Sequence, residues 1–232
     1  GKTTVARQFS SILKALGILE RGHLVECSRQ DLIAGYAGQT ATRTSEVIDT
    51  AIGGTLFIDE AYTLILDEYD AFGREAVATL LKRMEDQRGE FVVIAAGYPA
   101  NMEKFLQSNP GLKSRFDRVF YFEDYDAGQL VQIMDSLFGQ HNLVLEANAR
   151  EHLVHYFDQV TRYRDQYFGN ARVVRNMSEK VIKNQHLRLA LMEPTLRDEQ
   201  KLHQILQADV QEFVAPVPKA LESKIGFRPS SV

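Results

Sequence analysis

The sequence predicts an α/β fold: a parallel sheet with flanking helices, followed by a small all-helical domain. Short apolar runs that end in acidic residues or glycine alternate with amphipathic helices of about ten to fifteen residues through the first half of the chain. Beyond Asp126 the hydrophobic spacing is mainly helical. We therefore predict an α/β domain over 1–125, a helical domain over 126–215 and a loose tail over 216–232.

The first predicted element is a helix that ends at Gly17. Its apolar residues fall on one face: Val5, Phe9, Ile12, Leu13 and Leu16. Four short apolar segments are predicted strands: 22–27, 55–58, 91–96 and 119–122. Further helices are predicted over 40–52, 73–87, 127–140, 147–163, 170–192 and 209–213. Two segments are predicted loops: 31–38 and 66–72.

The composition excludes several classes of protein. The chain has 232 residues, of which 44% are hydrophobic and 25% charged, as in an ordinary soluble globular protein. No apolar run approaches the ~18 residues of a membrane helix, so we expect no membrane insertion. The net charge of -4 argues against a broadly basic surface that would bind nucleic acid.

Cysteine and histidine usage adds two expectations. Cys27 is the single cysteine, which excludes an internal disulfide framework and fits a reducing, cytoplasmic compartment. His152 and His155 lie one turn apart on a predicted helix, but no third ligand has a matching spacing. We therefore predict no metal site at this pair.

A phosphate-binding motif stands at the start of the chain. Gly1-Lys2-Thr3 matches the last three positions of the phosphate-binding loop, the Walker A motif, and Thr4 leads on into the first helix. In such a loop backbone N–H groups meet the phosphates, the lysine reaches the β and γ oxygens, and the hydroxyl binds Mg²⁺. The triplet alone is a weak signal, but its position at the start of an amphipathic helix favours a nucleotide site.

A pair of acids forms the second motif. Asp59 and Glu60 directly follow the apolar run 55–58, which places them at the ligand edge of an open sheet. There Asp59 can hold Mg²⁺ through water while Glu60 polarises the attacking water, as in a Walker B motif. The alternative is a strand that simply ends in solvated acids. The phosphate-binding triplet upstream favours the nucleotide site.

Several stretches together resemble the AAA+ ATPases. Within that superfamily the chain is similar to the group of red-type Rubisco activases, sporulation stage V protein K and the ATPases of type VII secretion. The stretches cover roughly residues 1–195 in order: GKTTVAR, RGHLVE, DLIAGYAGQTATRT, GGTLFIDEAYTL, FGREAVATLLKRMED, FVVIAAGYPANMEKFLQSNPGLKSRF and FGNARVVRN. The resemblance implies ATP hydrolysis with Mg²⁺, a helical lid, and a ring oligomer expected to be a hexamer. It also implies that the first sheet strand and the leading glycines of the phosphate loop precede Gly1.

The resemblance further implies roles for three arginines. Arg115, with Arg118 as the second candidate, matches the arginine fingers that act on the nucleotide of a neighbouring subunit. The alternative is a surface arginine pair bound to nearby acids. Arg172 matches a sensor-2 arginine that reaches the γ-phosphate from the lid. The alternative for Arg172 is a helix-terminus arginine in a local ion pair.

A glycine-flanked tyrosine resembles a pore loop. Tyr36, Ala37 and Gly38 match the loop that lines the central channel of AAA+ rings and grips an extended peptide. The alternative is a loop tyrosine folded onto its own domain. One departure concerns the strand 91–96, which is followed by Gly97-Tyr98 where the broader superfamily has a polar sensor-1 residue. Which side chain senses the γ-phosphate from that strand is left open.

The resemblance implies an ATPase that remodels a protein client of unknown identity. A second hypothesis is a nucleotide-switched assembly module of a secretion or sporulation complex, which builds a ring without threading a client. Tyr36 separates the two, because only threading requires it in the channel. A third hypothesis, an inactive relative, is opposed by the intact Asp59, Glu60 and Arg115.

Overall fold

The structure is a computed structural model that describes residues 1–36, 38–164, 168–193 and 199–214. The chain divides into two compact units, Gly1–Phe122 and Glu123–Val232. The predicted loose tail over 216–232 lies outside the described residues, as does Ala37.

The first unit contains a three-stranded parallel sheet. Its strands are β1 (Leu24–Cys27), β2 (Thr55–Ile58) and β3 (Val92–Ala95), in the order β1-β2-β3. The last residues of the strands are in register, so all three carboxyl ends lie at one edge of the sheet. β2 is central and buried throughout, because a strand pairs with each of its edges and both of its faces are covered. This confirms the predicted parallel sheet.

Helices connect and cover the strands of the first unit. They are α1 (Lys2–Ala15), α2 (Arg29–Leu32), α3 (Thr40–Ala51), α4 (Ala71–Asp86), α5 (Pro99–Gln107) and α6 (Pro110–Arg115), with a 3-10 helix at Ala61–Leu64. The predicted loop over 31–38 was wrong at its start, because α2 extends to Leu32. Ser28 and Asp31 form a capping box in which the Ser28 N–H and Oγ donate to Asp31 Oδ2 at 2.8 and 2.9 Å. That local pair stabilises the short helix.

One further prediction for this unit was wrong. The segment 119–122 is exposed and forms no strand. Within the described residues no strand pairs with it, and an unpaired strand would leave its backbone groups unsatisfied. The apolar face predicted for α1 is largely exposed, because this helix packs on the sheet through the small residues Ala6 and Ser10. Ser10 Oγ donates to the carbonyls of Gly22 and His23 at 2.9 and 3.1 Å, which holds α1 beside β1.

The second unit is built mainly from helices. They are α7 (Ala127–Gly139), α8 (Ala147–Arg162), α9 (Ala171–Leu191), α10 (Glu199–His203) and α11 (Gln207–Val210). Their core includes the buried Met134, Phe138 and Phe157. An all-helical unit was predicted. The helices are confirmed, but β4 (Val144–Leu145) and β5 (Gln204–Ile205) also form a short parallel pair. In the described part of the chain, no helix is both long enough and apolar enough to cross a membrane.

A partly buried ion pair joins three segments of the first unit. Arg29 of α2 contacts Asp70 through two N–H groups, one at 2.6 and one at 3.2 Å, and also donates to the carbonyls of Thr63 and Leu64. Asp70 caps α4 by accepting from the Gly73 N–H at 2.9 Å. Its side chain is only 7% exposed. Hydrogen bonds from Arg29 hold the pKa of Asp70 at about 2, below its usual 3.8.

We expect Asp70→Asn to lower the free energy of unfolding at pH 7 by about 2 kcal/mol, because the depressed pKa reports a stabilised carboxylate. The folded-state pKa lies below the unfolded one, so this contribution is present above pH 4 and is lost as the pH falls toward 2. Urea unfolding of both proteins at pH 7 and at pH 2.5 measures the difference. Asp67→Asn, an exposed change in the same loop, is the control. A pH-independent gap would contradict the ion-pair argument.

Candidate functional site

The first helix presents a cation at its amino end. α1 begins at Lys2, with Gly1 as its N-cap and Thr3 half-buried in the first turn. Thr4 is exposed on the same turn. A lysine at the positive end of a helix dipole costs stability, whereas an anion there is favoured. The first turn is therefore suited to binding phosphate together with Lys2.

The two predicted acids lie at the carboxyl edge of the sheet. The Asp59 N–H donates to the carbonyl of Cys27 at 2.9 Å, which continues the pairing of β2 with β1 by one residue. Glu60 then adopts a left-handed backbone conformation, with φ 49° and ψ 46°. This is uncommon outside glycine and occurs often at functional sites. In this turn Asp59 is exposed and Glu60 is half-buried.

Lys2 and Glu60 meet in space although they are distant in the chain. Lys2 Nζ lies 3.7 Å from Glu60 Oε1, and each side chain is 35% exposed. Glu60 Oε2 is buried and has no hydrogen-bond partner among the described residues. A buried carboxylate oxygen without a partner is costly and is able to accept from a water molecule or another donor. The structure thus brings together the lysine of one motif and the glutamate of the other.

Tyr62 contacts the same carboxylate. A hydrogen bond to Glu60 raises the pKa of Tyr62, and a hydrogen bond from Asn101 opposes that shift. Tyr62 lies in the 3-10 helix directly after the acids and packs against the core of the unit. Lys2 and Tyr62 therefore both act on the Glu60 carboxylate. Tyr62 was not predicted from the sequence.

The residues present fit a magnesium ion held jointly with phosphate. No three histidine, cysteine, aspartate or glutamate side chains cluster closely enough to hold a metal within the described ranges. Mg²⁺ commonly takes one or two carboxylates and completes its shell with waters and phosphate oxygens. Asp59 is exposed at the sheet edge, and the orphaned Oε2 of Glu60 provides a further acceptor beside it. Thr3 and Asp59 would hold the ion.

An unpredicted aromatic ring completes this edge. Tyr98 follows β3 and is 49% exposed. Lys2 Nζ lies 5.4 Å from the centre of its ring, within the range of a cation–π contact. The sequence signal was present, because Gly97-Tyr98-Pro99 follows an apolar strand just as Asp59 follows another. No γ-phosphate-sensing residue was assigned there from the sequence.

The predicted arginine fingers lie elsewhere on the first unit. Arg115 ends α6, and its terminal N–H group lies 3.1 Å from Glu85 Oε2 of α4. Its Nε is buried without a partner in the described structure. The guanidinium lines a cavity of about 500 Å³ with Ser114 and Asp117. Arg118 is exposed nearby in sequence. The trans role of both arginines stays a prediction.

Arg172 lies in the second unit, at the second position of α9, and is exposed. Its N–H donates to the carbonyl of Gly169 at 2.8 Å. Asn170 caps the turn at φ 46°, and its side-chain oxygen accepts from the Tyr125 N–H at 3.0 Å. A cation at the amino end of a helix costs stability, as at Lys2. The predicted contact of Arg172 with a γ-phosphate stays a prediction.

The predicted pore loop has a fixed base and an exposed tip. Arg43 of α3 donates to the carbonyls of Gln30 and Asp31 at 2.9 and 2.8 Å. Thr44 Oγ1 donates to the carbonyl of Leu32 at 2.9 Å. Tyr36 is 75% exposed. Its neighbour Gly38 has a φ of 79°, a conformation that favours glycine, whereas Ala37 lies outside the described residues.

A phosphate-binding helix start and paired acids at the edge of a parallel sheet define a nucleotide-hydrolysing protein of the phosphate-loop class. Comparison with protein families identifies it more closely. The model of the ATPase family associated with various cellular activities (AAA) matches residues 1–124, and the AAA lid domain matches residues 126–220. The chain belongs to the AAA ATPase family. The match supports ATP hydrolysis as the reaction of this domain.

Curated relatives cover most of this chain. Stage V sporulation protein K of Bacillus subtilis is 40% identical over 86% of the chain, and protein CfxQ of Xanthobacter flavus is 40% identical over 91%. The ESX-1 secretion system protein EccA1 of Mycobacterium tuberculosis is 38% identical over 94%. The chain spans 62%, 66% and 40% of these relatives, respectively. The resemblance seen in the sequence is confirmed.

Solved structures support the same fold. RuvB of Thermotoga maritima, in a mutant form, matches with a TM-score of 0.56 at 16% identity and covers 82% of this chain and 52% of its own. The AAA domain of FIGL-1 matches with a TM-score of 0.54 at 15% identity, over 83% of this chain and 62% of its own. At this identity the two structures inform the fold alone.

Proposed function

We propose that this chain is the motor of a ring oligomer that uses ATP hydrolysis to remodel a protein client. The observation that carries the proposal is the exposed Tyr36 on a loop with an anchored base. The family match supports ATP as the substrate. Relatives named for sporulation and secretion support work within a larger assembly.

The nucleotide site works through six residues in this proposal. Lys2 binds the β and γ oxygens, and the backbone of Gly1 and Thr4 contributes to the phosphate-binding turn. Mg²⁺, when bound by Thr3 and Asp59, would neutralise phosphate charge. Glu60 orients and polarises the attacking water. Phosphate oxygens compete with the Glu60 carboxylate for Lys2, because they carry more negative charge. When Lys2 turns to phosphate, Glu60 is released for water.

The proposed roles of the arginines require a ring oligomer. Arg115, or else Arg118, acts on the nucleotide of the neighbouring subunit, where a guanidinium stabilises charge on the transferring phosphoryl group. Arg172 acts on the nucleotide of its own chain and couples the lid to the phosphate. A site that needs a residue from a neighbour is complete only in an oligomer, and we propose a hexamer.

Tyr36 is suited to gripping a polypeptide. An aromatic side chain offers a large contact area with few torsions to order, so it binds varied peptides at low entropic cost. Its high exposure disfavours the alternative of a tyrosine packed on its own domain. A nucleotide-switched assembly module would have no use for such a side chain in its channel. The two functions therefore differ in what Tyr36 does.

Replacement of Tyr36 separates threading from assembly. We expect Tyr36→Ala to assemble and to hydrolyse ATP within several-fold of the wild-type rate, because none of its described contacts joins it to Lys2 or Glu60. Stimulation of the ATPase by an unfolded polypeptide, with casein as the probe, should be lost. Steady-state ATPase assays with and without casein measure this.

Tyr69→Ala is the matched control, since Tyr69 is also an exposed loop tyrosine of the first unit. It should leave the stimulation intact, and Tyr36→Phe should retain most of it. If casein stimulates the ATPase of Tyr36→Ala normally, or does not stimulate the wild-type ATPase, the assembly module is favoured. Loss of assembly and basal ATPase together would make Tyr36 a structural residue.

A further inference from the structure

We infer that Tyr98 is a positioning residue that holds the ammonium group of Lys2 through the face of its ring. The inference rests on the proposed role of Lys2 in binding phosphate. It assigns a function to the position after β3 that the sequence analysis left open. It also makes a specific claim: the aromatic ring acts, and the phenolic hydroxyl does not.

The backbone of Tyr98 is fixed from both sides. Pro99 begins α5 and restricts the residue before it to extended conformations, and Tyr98 has φ -75° and ψ 138°. Its carbonyl accepts from the N–H groups of Asn101 and Met102 at 3.1 and 2.9 Å. A Cβ at Gly97 would lie 2.8 Å from both Met102 Sδ and Tyr62 Cδ1, so only glycine allows this close approach. The ring is thus attached to a rigid point at the carboxyl edge of the sheet.

Lys2 has two partners of different character. Glu60 Oε1 lies 3.7 Å from its Nζ, and the centre of the Tyr98 ring lies 5.4 Å from it. The carboxylate attracts the ammonium strongly but also repels any phosphate that approaches. The ring attracts the ammonium through its quadrupole and carries no net charge. A cation resting on Tyr98 therefore keeps its full attraction for phosphate.

This difference explains why an aromatic residue suits the position. A long lysine side chain loses rotamer freedom when it is fixed, which weakens the binding of any ligand that must order it. The neutral Tyr98 ring restricts the Lys2 ammonium before the nucleotide binds. The ammonium can stay on the ring after the nucleotide has bound. Glu60, in contrast, must give up Lys2 to act on water. Tyr98 thus supports binding of the nucleotide, while Glu60 supports its turnover.

Four variants of the full chain test the inference, with the fluorescent analogue mant-ATP as the binding probe. Tyr98→Leu keeps a large apolar side chain but removes the ring, and we expect Kd to rise about fivefold, as for the loss of one cation–π contact. Tyr98→Phe keeps the ring and should bind within about twofold of wild type. The maximal ATPase rate should fall less than the affinity in Tyr98→Leu. In a Lys2→Met background, Tyr98→Leu should have no further effect on Kd.

Three other results would contradict specific parts of the inference or of the proposed site. If Tyr98→Phe weakens binding as much as Tyr98→Leu, the hydroxyl is the active group and the ring inference is wrong. If Tyr98→Leu weakens binding equally in the Lys2→Met background, Tyr98 does not act through Lys2. If Lys2→Met itself binds mant-ATP normally, the proposed nucleotide site fails, which is a separate outcome. Should Tyr98→Leu not fold, as judged by circular dichroism, Tyr98→Gln replaces it as the ring-free variant.

Discussion

Glu60→Gln should bind ATP with an affinity within a few-fold of wild type and lose turnover by ~100-fold or more. Glutamine preserves the size of the side chain and can still hydrogen-bond, but it lacks the carboxylate that polarises water. It also removes the charge that pairs with Lys2 at 3.7 Å, so phosphate no longer competes with an anion. Nucleotide titration and single-turnover hydrolysis, measured on the same preparation of the full-length protein, separate the two effects.

Glu90→Gln is the matched control. Glu90 is exposed and precedes β3, so it lies at the opposite end of that strand from the nucleotide edge. The same chemical change there should leave both binding and turnover unaltered. Hydrolysis by Glu60→Gln within a few-fold of the wild-type rate would transfer the water-activating role to another residue. A large loss of ATP affinity would instead make Glu60 a binding residue.

Arg115→Ala should abolish the ATPase activity that depends on assembly, with a loss of about 10³-fold or more, as expected for an arginine finger. ATP binding by the single chain should persist, because the proposed phosphate contacts come from Lys2 and its helix. Measuring hydrolysis against protein concentration tests the dependence on assembly. Arg118→Ala, made in parallel, decides between the two candidates.

The ion pair of Arg115 with Glu85 provides a sharper control. Glu85→Ala removes the same 3.1 Å contact but leaves the guanidinium in place. If Arg115 serves only that ion pair, both variants should lose activity equally. If it acts in trans, Glu85→Ala should retain most activity. Mixing Arg115→Ala with Glu60→Gln subunits should then restore some hydrolysis, because some interfaces combine an intact Glu60 with an intact Arg115.

The sheet was predictable because buried parallel strands have a simple pattern. Continuous apolar runs that end in acids or glycine identified β2 and β3 with few errors at their ends, whereas β1 lies within the less apolar segment 22–27. The same rule failed at 119–122, since apolar content shows that a segment can form a strand but does not show that a partner lies beside it. The packing face of α1 was not predictable for a related reason. Amphipathic spacing finds the apolar side of a helix, whereas packing here depends on the small Ala6 and Ser10.

The site was predictable where a motif links chemistry to a fixed place in the fold. Lys2 and Glu60 each follow from local sequence, and the parallel sheet brings the two motifs together. Tyr98 was missed because its place after β3 indicates a position at the sheet edge but gives an aromatic ring no role beside a lysine so far away in the chain. Glu85 was missed because its contact with Arg115 is made only when α4 and α6 are packed.

The anchored base of the Tyr36 loop has a mechanical consequence. A pull on the Tyr36 ring is carried in two directions: through Ile33 to the hydrogen bonds that Arg43 and Thr44 make with the loop base, and along the chain into α3. These bonds share the load in parallel, and both side chains belong to one helix. The loop base is therefore joined to α3 by hydrogen bonds as well as by the chain itself. In the proposed remodelling function, this joint would carry work done at the nucleotide edge to a gripped polypeptide.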